Sequence, residues 1–370
     1  MTHKERFLAV MKFQNPDRLP HYELGVWGQA IKRWNDEGMP QDMLYMNWFE
    51  GEPYFRLDPR RFSPICMAMM PQFEYEVIEE TERCVTARLW NGIVTKALKE
   101  GTVLGTRMCM DQYISFPVTD RKSFAELKKR YNPKSITRYP QWWDENVLAW
   151  KTIDCPLVLL TNGSFGLYSQ LRSWYGTENI SYLFYDDPAF VEEMLDFATD
   201  FLLETVEKAL NEVSFDYFNF FEDFAGKGGP LISPQLFKKL LLPRYRRIID
   251  RLRKAGIRYF WLDSDGDPEA LIPLMMEAGI TCLWPLEQAS GMDPVRLRKK
   301  YGKDLALAGG IDKREIAKDR KAIRKELESK ILPLRDRGGF IPHLDHTFPP
   351  EISYDNFLYY LEVKEKLLGV

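Results

Sequence analysis

Two carboxylates and an imidazole with chemical potential stand out in this 370-residue chain. Asp263-Ser-Asp265-Gly266-Asp267 follows directly on the apolar run Tyr259 to Leu262. That run reads as a short buried strand, and Asp267-Pro268 reads as the cap of a helix. The acids therefore sit where a strand stops, which is where α/β folds bind ligands. Capping and turning alone would also explain acids in such a loop. His343 and His346 flank Asp345 ahead of Thr347-Phe-Pro-Pro350, in a chain with 4 histidines. A histidine beside carboxylates can ligate a divalent metal, act as a general acid or bind an anionic group. It can also simply pack under a loop, and residue types alone leave these uses open.

The same habit recurs along the chain. Apolar runs end in Asn162, in Glu222-Asp223, in Glu287 and in Gly309-Gly310. If these ends converge on one face, they form an acidic pocket of Asp263, Asp265, Glu222, Glu287 and His346. Asp263 and Asp265 are two apart, so on an extended strand end they point the same way. With His346 they make a candidate zinc set of three ligands and an open position, and Glu287 is a reserve.

The elements that must carry these residues follow from periodicity. A short helix runs from Lys4 to Met11, and Leu19 to Val26 reads as a first strand. Residues 35–118 form an insertion or lid-like region, whose alternating apolar residues and Asn91-Gly92 turn predict a β-hairpin. Ser123 to Arg130 is a short helix. From residue 156 to 370 strands and helices alternate, giving six units, with one or two more before them. Pro243 predicts a kink or two helices. Such alternation implies a parallel sheet and favours a closed (β/α)8 TIM barrel as one domain over residues 1–370. No phosphate-binding glycine fingerprint is present.

Composition narrows the class. The chain has 51 basic and 54 acidic residues, a net charge of −3, so a nucleic-acid footprint is not expected. No apolar run reaches the ~20 residues of a membrane span. The N-terminus lacks the apolar core of a signal peptide. The 5 cysteines are odd in number and scattered, which suits a reduced, cytoplasmic protein.

Several segments together resemble the uroporphyrinogen decarboxylase superfamily, which includes cobalamin-dependent methyltransferases. They are Glu222-Asp-Phe-Ala-Gly-Lys-Gly-Gly-Pro230, Asp263-Ser-Asp-Gly-Asp267, Trp284-Pro-Leu-Glu287, Gly309-Gly-Ile-Asp-Lys313 and Gly338-Gly-Phe-Ile-Pro-His-Leu-Asp-His346. The resemblance implies a TIM-barrel enzyme. The decarboxylase carries Arg-Gln-Ala-Gly-Arg-Tyr after its first strand; here Gly25-Val-Trp-Gly-Gln-Ala-Ile-Lys-Arg33 stands there, and only Gln29 and Arg33 remain of it. The related methyltransferases hold zinc with a His-x-Cys before a Gly and a late Cys. Asp263-Ser-Asp265-Gly266 and His346 fall near those positions.

The resemblance thus implies a corrinoid-dependent methyltransferase that moves a methyl group between a small O- or N-methyl substrate and a corrinoid on a separate partner protein. The alternative is a decarboxylase of a tetrapyrrole or other carboxylate, and a third reading is a ligand-binding barrel without catalysis. Asp265, His346 and Glu222 are the candidate catalytic residues. Trp27, Gln29, Arg33, Asn162, Asp223, Glu287 and His343 are the candidate substrate contacts. Asp263, Asp265 and His346 are the candidate metal ligands, with a homodimer among the assemblies allowed.

Overall fold

A computed structural model describes residues 1–41, 49–107, 110–161 and 163–370. Seven parallel strands form one curled sheet in the order Arg61–Phe62, Leu157–Leu159, Tyr217–Phe221, Tyr259–Asp263, Cys282–Trp284, Ala306–Ala308 and Phe340–Ile341. Every neighbouring pair is parallel, and helices connect successive strands from Leu157 onward, as the apolar-run pattern predicts. The result is a TIM-barrel-like α/β fold.

Leu19 to Val26 is not a regular strand. Val26 makes a single parallel bridge to Phe348, and the His21 carbonyl accepts from the Asp58 amide at 2.8 Å. Pro20 has no amide to give to a ladder, and Gly25 has φ of 134°, so the segment crosses between the sheet's two edges through isolated bonds. Residues 76–115 hold a separate four-stranded antiparallel sheet in which Cys84–Arg88 pairs with Val94–Leu98 across the Asn91-Gly92 turn.

Local chemistry sets the helix ends. Thr2 and Glu5 form a reciprocal cap on His3–Met11. Asp187, Asp293 and Ser353 cap the helices that follow them. Around Pro243 the expected break occurs, with a wide turn over Phe237–Leu241 before Leu242–Lys254. Asp312 caps Lys313–Ile316, and Asp319 caps a second helix, Arg320–Ile331. Asp267 does not cap an α-helix: its carboxylate accepts from the Glu269 amide and a short tight turn follows.

The first helix closes the N-terminal end of the sheet. Phe7 lies 5.0 Å from Tyr217 and 5.9 Å from Trp261, centroid to centroid. One buried ion pair fastens the other seam. Lys364 and Glu23 have no exposed side-chain surface. Glu23 also accepts from the Tyr360 hydroxyl and from the Leu344 amide at 3.0 Å, and Lys364 donates to the Tyr22 carbonyl at 2.8 Å.

Glu23→Ala or Lys364→Ala alone is expected to cost about 3–5 kcal/mol in urea denaturation, because each leaves an unpaired buried charge. The double variant Glu23→Gln/Lys364→Met should recover part of that loss. Equal losses in all three would mean that packing, rather than the charge pair, carries the effect.

Candidate functional site

The site lies where the strands end, opposite the helix that carries Phe7. Strand Tyr259–Asp263 finishes with Asp263 buried, its carbonyl accepting the Glu222 amide at 2.8 Å. The chain then turns at Gly266, with φ of 74°. A Cβ there would come within 2.6 Å of the Gly226 carbonyl oxygen, so only glycine fits. The turn delivers Asp265 to the mouth, where its Oδ2 lies 3.7 Å from Nε2 of His346. The His346 Nδ1 pairs with the Thr347 hydroxyl at 2.9 Å.

The other strand ends supply the surroundings. Glu287 accepts from the Gly266 amide at 2.9 Å and pairs with Lys313 at 3.4 Å, joining three loops. Asp345 is fully buried and accepts from the Gln288 and Lys313 amides at 2.9 and 3.1 Å. It thereby fixes the loop that holds His346. Trp27, Glu287, Lys313, Arg314, His346 and Pro349 are among the residues lining a cavity of about 670 Å³ beside the Asp265–His346 pair. That size suits a small molecule. Leu160 and Leu286, at two strand ends, hold φ of 69° and 67°. Left-handed backbone at buried leucines is strained, and such strain collects at working sites.

Burial, reinforced by Glu287 and Asp223, raises the Asp265 carboxyl to about 6. Burial and the Lys313 charge lower His346. The pair thus presents a carboxyl that protonates near neutrality beside an imidazole that stays neutral.

The structure brings Asp265, His346, Glu287 and Trp27 together, with Asp223 near enough to raise Asp265, and gives the other described candidates partners of their own. Glu222 is fully buried, and its carboxylate accepts from the Leu167, Tyr168 and Ser169 amides and the Tyr245 hydroxyl. It caps the helix Leu167–Tyr175, which has no capping side chain of its own, since Gly166 precedes it. Burial raises it to about 7 even against those four donors. Three of these donors meet Oε1 and one, the Ser169 amide, meets Oε2, so the fold itself holds this carboxylate.

Gln29 is occupied elsewhere: its amide donates to the Gly101 and Thr106 carbonyls at 3.0 and 2.7 Å. Arg33 pairs with Glu37 and donates to the Pro350 carbonyl, bracing the loop behind the cavity. Asp223 pairs with Arg172 at a neighbouring crevice. His343 is buried inside the sheet, with Nδ1 bonded to the Leu344 carbonyl at 2.7 Å, and burial takes it down to about 3. Its expected contact with substrate is replaced by packing against Trp284, centroids 6.1 Å apart. Asn162 lies outside the described residues.

The expected acidic pocket is in fact mixed, because Lys313 and Arg314 line it too. Both were missed by reading only the first residues after each apolar run. Gly309-Gly-Ile-Asp-Lys313 carries the chain three residues beyond Gly310 before its cation reaches the mouth. Among the described residues no three His, Cys, Asp or Glu side chains are grouped to hold a metal ion. Asp265 and His346 provide two donors, and Asp263 does not complete a set, so the donor geometry falls short of a three-ligand zinc site.

The profile of the uroporphyrinogen decarboxylase (URO-D) family matches residues 97–367, and the chain belongs to that family. No curated protein sequence matches it. Among solved structures, a methyltransferase from Methanosarcina mazei superposes with a TM-score of 0.59 at 14% identity, over 99% of each chain. A B12-independent methionine synthase from Shewanella sp. W3-18-1 gives a TM-score of 0.40 at 13% identity, over 62% of this chain and 66% of that one. The first of these likenesses supports the fold assignment. No helix among the described residues is long and apolar enough to cross a membrane.

Two substitutions separate a working carboxyl from a structural one. Asp265 sits above its ordinary value of 3.8, so its ionisation opposes folding: the cost is absent below pH 3.8 and complete once pH has risen past about 6. Asp265→Asn is therefore expected to melt roughly 1–3 °C above wild type at pH 8, with no difference below pH 4. Glu222→Ala should instead lower the melting temperature at both pH values, since it strands four donors. Scanning calorimetry at pH 4 and 8 checks both, and a destabilised Asp265→Asn at pH 8 would contradict the repulsion inferred at the mouth.

Proposed function

We propose that this URO-D family member is a methyltransferase that removes a methyl group from a small O- or N-methylated substrate. The observation that carries the reading is the Asp265–His346 pair, 3.7 Å apart beside a cavity of small-molecule size. When the methyl group leaves, the electrons of its bond stay on the substrate oxygen or nitrogen. Asp265, raised to about 6, supplies in its acid form the proton that this atom then needs. His346 lies beside that carboxyl, and Trp27 offers an apolar wall. Lys313 offsets the negative charge that develops. The Methanosarcina mazei neighbour, a methyltransferase of the same length, supports the class.

The methyl acceptor in this reading is a corrinoid carried by a separate protein that approaches the open mouth. The corrinoid would supply the nucleophile. The two-donor geometry does not fit a catalytic zinc, and no step is derived through one. Decarboxylation is the second reading, favoured by one observation: Lys313 and Arg314 line the cavity, where they could receive a substrate carboxylate. Against uroporphyrinogen itself stands the absence of the arginine pair, with Gln29 and Arg33 bound to neighbouring backbone.

The test supplies methoxylated aromatic compounds and methylamines to the pure protein with free reduced cobalamin, and follows the cobalamin spectrum. Asp265→Asn should reduce turnover at least about 100-fold, and wild-type kcat/KM should fall as pH rises beyond about 6, as the acid form is lost. Conversion of uroporphyrinogen without cobalamin, and none of the methylated compounds with it, would reverse the order of the two readings.

A further inference from the structure

The end of the sheet opposite the candidate site carries a second cavity, of about 880 Å³. Three segments line it: residues 13–15 after the first helix, one face of the helix Pro294–Tyr301 with residues 302–303 beyond it, and residues 333–337. The latter two lead into the strands Ala306–Ala308 and Phe340–Ile341. The cavity therefore lies at the N-terminal strand ends, away from Asp265 and His346.

Its charge is out of balance. Arg298, Lys299, Lys303 and Arg337 line it, against one carboxylate, Asp336, which pairs with Arg335. Among the described residues none of the four cations has a carboxylate partner, in a chain whose net charge is −3. Favourable contact with the negative end of the helix Pro294–Tyr301 accounts for Lys299. It does not account for Lys303 and Arg337, which lie beyond that helix.

Arg298 is the residue that points to a ligand. It is 7% exposed, and its guanidinium meets only carbonyl oxygens, those of Gly302, Leu305 and Gly339. Its Nε has no hydrogen-bond partner. A buried cation without a counter-charge is costly unless an anion completes it. The guanidinium lies 4.8 Å above the Phe13 ring, and Val295, Pro333 and Leu334 add an apolar wall.

We propose that this cavity is a second binding site, for a small dianionic phosphate monoester with an apolar or planar body. Arg337 and Lys303 receive the phosphate, Arg298 adds its buried positive charge from behind, and Phe13 with Leu334 receives the body. Guanidinium groups match phosphate oxygens in geometry as well as charge.

Phenyl phosphate is the probe, titrated into the full chain by calorimetry, with inorganic phosphate and phenol as separate arms. Saturable binding of phenyl phosphate is expected, at least about tenfold tighter than inorganic phosphate, with phenol not bound. Equal affinity for the two phosphates would replace the ester with free phosphate as the ligand and overturn the role given to Phe13. Arg298 also holds three carbonyls and its replacement endangers the fold, so the surface pair Lys303→Gln/Arg337→Gln is the variant of choice. It should weaken binding at least tenfold with an unchanged melting temperature, while Lys366→Gln on the last helix changes nothing. Lys313→Gln separates the two ends of the barrel. Loss of binding there, and not in the Lys303/Arg337 pair, would place the anion at the strand-end mouth and overturn the proposal, as would an absence of saturation at millimolar phenyl phosphate.

Discussion

The Glu23 carboxylate draws together the first segment, the last helix and the loop before His346. It receives Lys364 and Tyr360 from the last helix and the Leu344 amide from the loop before His346. Two charges without solvent are stable only as a set, so this arrangement admits little slack. Its consequence is positional. Leu344 lies between His343 and Asp345, so the bond that fixes it also decides which residues face inward and which reach the mouth. Asp345 then holds the neighbouring loops through two backbone amides, and His346 comes to rest beside Asp265. Asp265 and His346 are partly exposed, but their placement is inherited from a buried ion pair on the seam of the sheet.

Glu222 and Asp265 show how one residue type serves opposite ends. Both carboxyls are raised by burial, to about 7 and about 6. Four donors surround Glu222, so its charge is spent on a helix that lacks its own cap. Among the described residues Asp265 has no such donors. It faces Glu287 and Asp223, keeps 44% of its side-chain surface exposed, and has an imidazole as its near neighbour. A raised carboxyl with satisfied oxygens stabilises a fold. A raised carboxyl with free oxygens at a cavity is available to a substrate, and the difference lies in the donors rather than in the shift.

This difference also marks the limit of what the residue pattern could convey. The parallel strands, their helices and most caps follow from apolar runs and from Asp-Pro or Ser-Pro pairs, which are local signals. Asp265, Glu287 and His346 were legible as strand-end residues for the same reason. Glu222 stands at a strand end too, but its role depends on Gly166, 56 positions earlier, leaving the amides at Leu167 to Ser169 without a cap. Gln29 reads as a free amide until the 101–107 turn is folded onto it. Leu19 to Val26 has the apolar content of a strand, but Pro20 and Gly25 interrupt its ladder, and its place is set by partners more than 300 residues away. Long-range pairing of this kind leaves no periodicity behind.

The two ends of the sheet differ in how their charges are settled. At the strand-end mouth opposite charges are interleaved, with Lys313 against Glu287 and Arg314 against Asp312, and burial with the Glu287 and Asp223 charges raises Asp265 to about 6 even though Lys313 opposes it. At the other end the cations stand together, and burial takes Arg298 down to about 10 without deprotonating it at any ordinary pH. The first helix separates the two, its Phe7 packed on Tyr217 and Trp261. A mixed field suits proton transfer, which needs a group close to its midpoint. A one-sided field suits holding a fixed anion, which needs no titration at all. Placing them on opposite sides of the same core lets each keep its electrostatics without disturbing the other.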